Sequence, residues 1–182
     1  HSQAEVVFTS WIKKGRFVAA SAYNYFRSPR NKVHWFKVVW NPGIPPKEAF
    51  FLWLVANCKL LTLDRAPFLQ KGIVCPFCKR EAESHDHLFF RCRITMRIWN
   101  EIRDWTRFPK RYISLKAAMN GIIHHRATSG IVGKIRCLAL AIVVFCIWMC
   151  RNCILFDDVV FNPAELLEKI RFCVLRMAHL LH

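Results

Sequence analysis

Residues 74–93 read VCPFCKREAESHDHLFFRCR and place Cys75, Cys78, His87 and Cys92 at the spacing C-x2-C-x8-H-x4-C. Zn²⁺ in a structural site takes four tetrahedral thiolate and imidazole ligands, and a C-x2-C turn brings two sulfurs to one ion without long-range folding. Pro76 stiffens that turn. The connector from Glu81 to Asp86 is polar and acidic, with little apolar content to order it. A metal supplies the missing reason for order, and Lys79, Arg80, Arg91 and Arg93 flank it with positive charge that favours deprotonated sulfur. The expected cofactor is therefore one structural Zn²⁺. His85 is the rival to His87, with a longer spacing to Cys92.

Two other readings of the cysteines stand beside this one. Cys-Pro-Phe-Cys also resembles the dithiol turn of glutaredoxin-like oxidoreductases, which needs a preceding strand and a βαβ unit that the flanking sequence lacks. The other is a set of unligated, buried thiols.

Outward from the motif, a length of 182 residues with 54% hydrophobic content is enough for one domain with a buried core. The expectation is a single domain over 1–182: hairpin and helix at 5–28, an apolar helical region at 33–73, the zinc loop and its following helix at 74–106, and C-terminal helices at 113–182. Nine cysteines, an odd number, without a signal peptide speak against a secreted disulfide framework and for a reducing intracellular compartment, nuclear or cytoplasmic. The chain opens at His1 without Met and reads as excised from something longer. The longest uncharged run, Cys137 to Cys150, has the length of a core helix rather than a bilayer span.

The formal net charge of +16 is unevenly distributed, since no Asp or Glu occurs between Trp105 and Phe156. Such an excess points to a polyanionic partner, RNA or single-stranded DNA before membrane. The candidate phosphate contacts are Lys79, Arg80, Arg91, Arg93, Arg97, Arg103, Arg107, Lys110 and Arg111, and Trp11, Tyr23 and Trp105 are candidate stacking residues. A solvated basic surface without a partner is the plain alternative. No small-molecule substrate is indicated.

The fold class predicted is mainly α, with a short N-terminal β-hairpin and the Cys-Cys-His-Cys loop. Val6–Thr9 and Arg16–Ala19 read as strands around Lys13-Lys14-Gly15, and Ser21 as the cap of a helix through Phe26. Pro46 opens an apolar helix over Lys47–Asn57 in which Phe50, Phe51, Trp53 and Leu54 read as core. Thr62 reads as the N-cap of a helix to Gln70, ended by Lys71-Gly72. After Cys92, Met96, Trp99 and Ile102 mark a helical stripe that Pro109 closes. Two helices follow, over Ser114–His125 and Ile131–Ile154. In Asn162-Pro163-Ala164-Glu165 the cap, N1 and N3 residues open a last helix with Leu166, Ile170, Val174 and Met177 on its buried stripe. Cys146, Cys150 and Cys153 share a helical face, a second metal site by one reading and buried thiols by another.

Taken together, these residues resemble the reverse-transcriptase zinc-binding domain that follows the polymerase in plant LINE-type (non-LTR) retrotransposon polyproteins. The marks are Gly15-Arg16-Phe17-Val18 with Ser21-Ala22-Tyr23, Trp40 with Ile44-Pro45-Pro46-Lys47 and Phe50-Phe51-Leu52-Trp53, and Leu61-Thr62-Leu63-Asp64. Gly72-Ile73, Glu83-Ser84, His87-Leu88-Phe89, Trp99, Trp148, Arg151-Asn152 and Phe156 complete them. The family's ligands fall on Cys75, Cys78, His87 and Cys92. Position 79 is Lys where the family usually has Gly, and position 93 is Arg where it usually has Pro. The resemblance implies a non-catalytic module of a parent reverse transcriptase polyprotein.

Leu155-Phe156-Asp157-Asp158 is superficially like a polymerase aromatic-x-Asp-Asp turn, but the aromatic abuts the first Asp and no hairpin is predicted there. The twelve acidic residues are scattered, which argues against an RNase H or nuclease carboxylate cluster. Two functions stay open: a zinc-stabilised nucleic-acid-binding module, and a zinc-stabilised structural or protein-interaction scaffold.

Overall fold

A mostly apolar helix needs cover, from a protein core or a bilayer, and the chain supplies one in α7, Gly130–Phe156. In the computed structural model, which describes residues 2–27, 33–108, 114–124 and 130–181, Cys137–Val144 and Cys146–Trp148 of this helix are buried. By length and composition its 27 residues could cross a membrane, but 61% of its most apolar window lies buried within the protein. It packs mainly against α4 (Pro46–Ala56) and α8 (Pro163–Ala178), with α3 (Phe36–Val39), α5 (Arg93–Trp105) and α6 (Leu115–His124) also in contact.

The backbone divides into two units, residues 1–33 and 34–182. In the first, α1 (Ser2–Ser10) precedes β1 (Ile12–Lys13), β2 (Arg16–Phe17) and α2 (Ala19–Phe26). The hairpin pairs Ile12 with Phe17 and Lys13 with Arg16. Its two turn residues, Lys14 and Gly15, both have positive φ (51° and 73°), as a tight primed turn requires. The strand expected over Val6–Thr9 is instead helix. A two-residue turn leaves only its immediate neighbours in register, and with no further strand to pair with, the segment satisfies its backbone locally. Ser21 likewise lies inside α2, whose cap position is Val18.

In the second unit Pro46 occupies the first turn of α4, as its fixed φ favours. The buried stripe, however, is Glu48, Ala49, Leu52 and Val55. Phe50 is half exposed and stacks on Trp53 at 5.9 Å, while Phe51, Trp53 and Leu54 lie half buried against the core. The helix expected from Thr62 to Gln70 is broken into two 3₁₀ turns, Leu63–Arg65 and Pro67–Leu69. Pro67 cannot donate a helical hydrogen bond, and the Thr62 hydroxyl donates to the Asp64 carboxylate (2.5 Å) rather than capping backbone. The α5 stripe is Thr95, Ile98, Trp99 and Ile102, with Met96 exposed. Pro109 lies outside the described residues. The opening of α8 follows its sequence signal: Asn162 Oδ1 accepts from the Ala164 N–H at 3.0 Å, and Asn162 Nδ2 donates to Glu165 at 2.8 Å.

Candidate metal centre

The Cys-Pro-Phe-Cys turn is held at its base by a bridge between Val74 and Ala82. Cys75 N–H donates to Glu81 C=O (2.8 Å), Glu83 N–H to Ile73 C=O (2.6 Å) and Lys79 N–H to Cys75 C=O (2.9 Å). Lys79 has φ +51°, the left-handed conformation that glycine adopts without strain, which explains why the resembling family prefers Gly there. Arg93 is the first residue of α5, the position that favours Pro.

His87 and Cys92 are five residues apart, which on a regular α-helix would turn their side chains about 140° from each other. Residues His87–Arg91 form a π-turn instead, closed by Cys92 N–H donating to His87 C=O at 2.7 Å. Cys92 then leaves with extended backbone and becomes the cap position of α5. The π-turn is anchored from α5, since Trp99 Nε1 donates to Phe89 C=O (2.6 Å) and its ring stacks on Phe90 at 5.7 Å.

The result is four buried donor atoms lying within 4.8 Å of one another, from Cys75, Cys78, His87 and Cys92. Cys75 Sγ is 4.0 Å from Cys92 Sγ, and Cys78 Sγ is 3.4 Å from His87 Nε2. Tetrahedral zinc with Zn–S of about 2.3 Å and Zn–N of about 2.0–2.1 Å requires edges of about 3.8 and 3.5 Å. The residues fit one zinc ion. The other ring nitrogen, His87 Nδ1, faces Glu81 Oε2 at 3.4 Å, the carboxylate partner that fixes a ligand histidine's tautomer and orientation. Cys92 is held down to about 5 by the hydrogen bond from Cys75, then by the Thr95 and Ile94 N–H groups at the start of α5 and by His87. Cys75 is raised by the same hydrogen bond and by burial.

Residues 17–99 match the family described as zinc-binding in reverse transcriptase. All four ligands lie inside the matched segment, whereas Trp148, Arg151 and Phe156, which also carried the resemblance, lie beyond it. A curated relative from Arabidopsis thaliana, named "Putative ribonuclease H protein", is 32% identical over 98 residues. That alignment covers 50% of this chain and 16% of the relative, so the chain spans a small part of that protein's length. No solved structure matches.

His85 does not join the ligand set of this zinc-binding segment. Its Nδ1 lies 3.8 Å from Cys58 Sγ and its ring packs on Phe89, and burial lowers its pKa. Cys146, Cys150 and Cys153 form no second cluster of three or more donors among the described residues.

Of the expected phosphate contacts, Lys79, Arg80, Arg93 and Arg97 are exposed and have no ion-pair partner among the described residues. Arg91 pairs with Asp86 at 2.8 Å. Arg103 binds Asp104 at 2.7 Å with its side chain only 17% exposed. Arg107 is exposed, and its carbonyl accepts from Arg136. Lys110 and Arg111 lie outside the described residues.

The acidic connector has an order of its own that spacing does not reveal. Glu83 is fully buried and paired with Arg151 of α7, itself 1% exposed, at 2.7 Å. Glu83 also accepts from the Leu63 N–H (2.7 Å), while Arg151 reaches Leu61 C=O and lies over the Trp148 ring at 4.7 Å. Both residues were visible as marks of the resemblance; their partnership was not.

Proposed function

We propose that the chain is a non-catalytic module of a retrotransposon-derived reverse transcriptase polyprotein of the plant LINE type, and that it holds RNA or single-stranded DNA through phosphate contacts. Four protein donors close the metal's coordination, which suits a structural ion and leaves no open position for substrate or water. The ion's chemistry here is to cross-link the loop. Asp157 and Asp158 follow α7 in an exposed, non-strand segment, with Asp158 at φ +51°. That placement supports reading them as loop residues rather than as a polymerase metal pair. All nine cysteines are free, which suits a reducing compartment, nuclear or cytoplasmic.

The observation that carries the reading is the exposed set Lys79, Arg80, Arg93 and Arg97 on the metal turn and the start of α5, which have no ion-pair partner among the described residues. The scaffold reading draws on the other cations, since Arg91 and Arg103 are neutralised within the fold. A salt titration of single-strand binding separates the two. Four phosphate contacts give a slope of about −3 in log K against log salt, from about 0.7 per phosphate. Charge reversal at those four residues should abolish binding, and Lys169→Glu, exposed on α8, should leave it unchanged. Absence of binding at about 50 mM salt, or binding without salt dependence, would replace this reading by the scaffold.

A further inference from the structure

Residues 3–27 contain no buried residue, although six of them are aromatic. Phe8, Trp11, Phe17, Tyr25 and Phe26 touch one another with ring centroids between 5.3 and 6.3 Å apart. Four of these residues nonetheless stay more than half exposed: Phe8 52%, Phe17 55%, Tyr25 59% and Phe26 74%. The rings therefore pack on one another and still remain largely exposed to solvent. Tyr23 is also exposed, with the Arg27 guanidinium 5.8 Å from its ring centre. Lys13, Lys14 and Arg16 occupy the hairpin, and the segment's one acidic residue is Glu5.

We infer that this unit is a stacking platform for unpaired bases of a single-stranded nucleic acid. The inference rests on the nucleic-acid reading above and adds a site to it. Open aromatic faces stack on any base, and cations beside them meet the phosphates, which is how sequence-tolerant single-strand binders are built. Charge decides between this occupant and an apolar protein surface: the unit carries four cations against one carboxylate, one of them, Arg27, against the Tyr23 ring, and an apolar partner would leave them uncompensated. In a duplex the base faces are already stacked, so the platform discriminates against it.

The test uses the full zinc-loaded chain with a fluorescent oligouridine, its duplex counterpart, and a 5-iodouridine oligonucleotide for photo-crosslinking and peptide mapping. Tyr23→Ala and Phe26→Ala are each expected to weaken single-strand binding roughly tenfold while leaving the salt slope unchanged, because a stacked base and not a phosphate contact is lost. Tyr23→Trp and Phe26→Trp should restore it, which a merely misfolded unit would not. Crosslinks should map to residues 17–26. Wild-type affinity in both alanine variants, equal affinity for the duplex, or crosslinks confined to residues 79–97 would overturn the platform while leaving the phosphate-contact reading intact. Failure of the unmodified chain to bind any single strand overturns both.

Discussion

The metal loop and the N-terminal unit dispose of their side chains in opposite ways. Residues 74–92 bury three thiols, an imidazole, the Glu83 carboxylate and the rings of Phe77, Phe89 and Phe90. Residues 3–27 bury nothing. A segment of this size has too little interior to enclose its own apolar groups. The loop overcomes that with a four-donor metal cluster and an ion pair to the central helix, whereas the N-terminal unit shows neither among the described residues and keeps its aromatic residues exposed. Polar residues with fixed partners mark the metal loop, and exposed aromatic residues mark the N-terminal unit.

The largest test of this contrast is the Glu83–Arg151 pair. Glu83→Gln or Arg151→Met strands a buried charge and should cost about 3–5 kcal/mol in denaturant unfolding, while the double replacement should cost clearly less than the sum. Additive losses would mean that the loop and core are not coupled through this contact.

Next comes thiol reactivity. Exposed Cys58 should react first with a maleimide at neutral pH, and Cys137 and Cys146, pushed up to about 12 by burial, should resist. A thiol held that high stays overwhelmingly protonated through pH 9, so Cys137 and Cys146 should remain slow between pH 7 and 9. Chelation should add Cys75, Cys78 and Cys92 to the reactive set, read by mass spectrometry of the labelled peptides. Unchanged labelling after chelation would mean that no metal had covered them.

Two smaller effects sharpen the comparison. Lys79→Gly relieves a left-handed residue and should raise thermal stability by up to about 1 kcal/mol. Phe26→Ala, on a ring 74% exposed, should shift unfolding by no more than about 0.5 kcal/mol. A large loss there would show that the aromatic cluster is a core rather than an open face.

The ligands were legible because C-x2-C and H-x4-C are local spacings, and the opening of α8 because Asn-Pro-Ala-Glu acts within one turn. The Glu83–Arg151 pair joins residues 68 apart and belongs to no local pattern. Phe50 was misplaced because α4 is apolar all round, which hides the phase of its buried stripe. Val6–Thr9 has strand-like composition, but β-propensity expresses a fit to a neighbouring strand, and the short hairpin provides none. Among the basic residues, sequence shows charge but not pairing, so Arg91 and Arg103 could not be told from Arg93 and Arg97.

The central claim is that Cys75, Cys78, His87 and Cys92 together hold one zinc. Native mass spectrometry of the full chain measures it directly, comparing wild type with Cys78→Ser and with His85→Ala. One zinc in the wild type, one in His85→Ala and none in Cys78→Ser is the expected result. A wild-type chain carrying no zinc, or two, or a Cys78→Ser chain that keeps its ion, would contradict it.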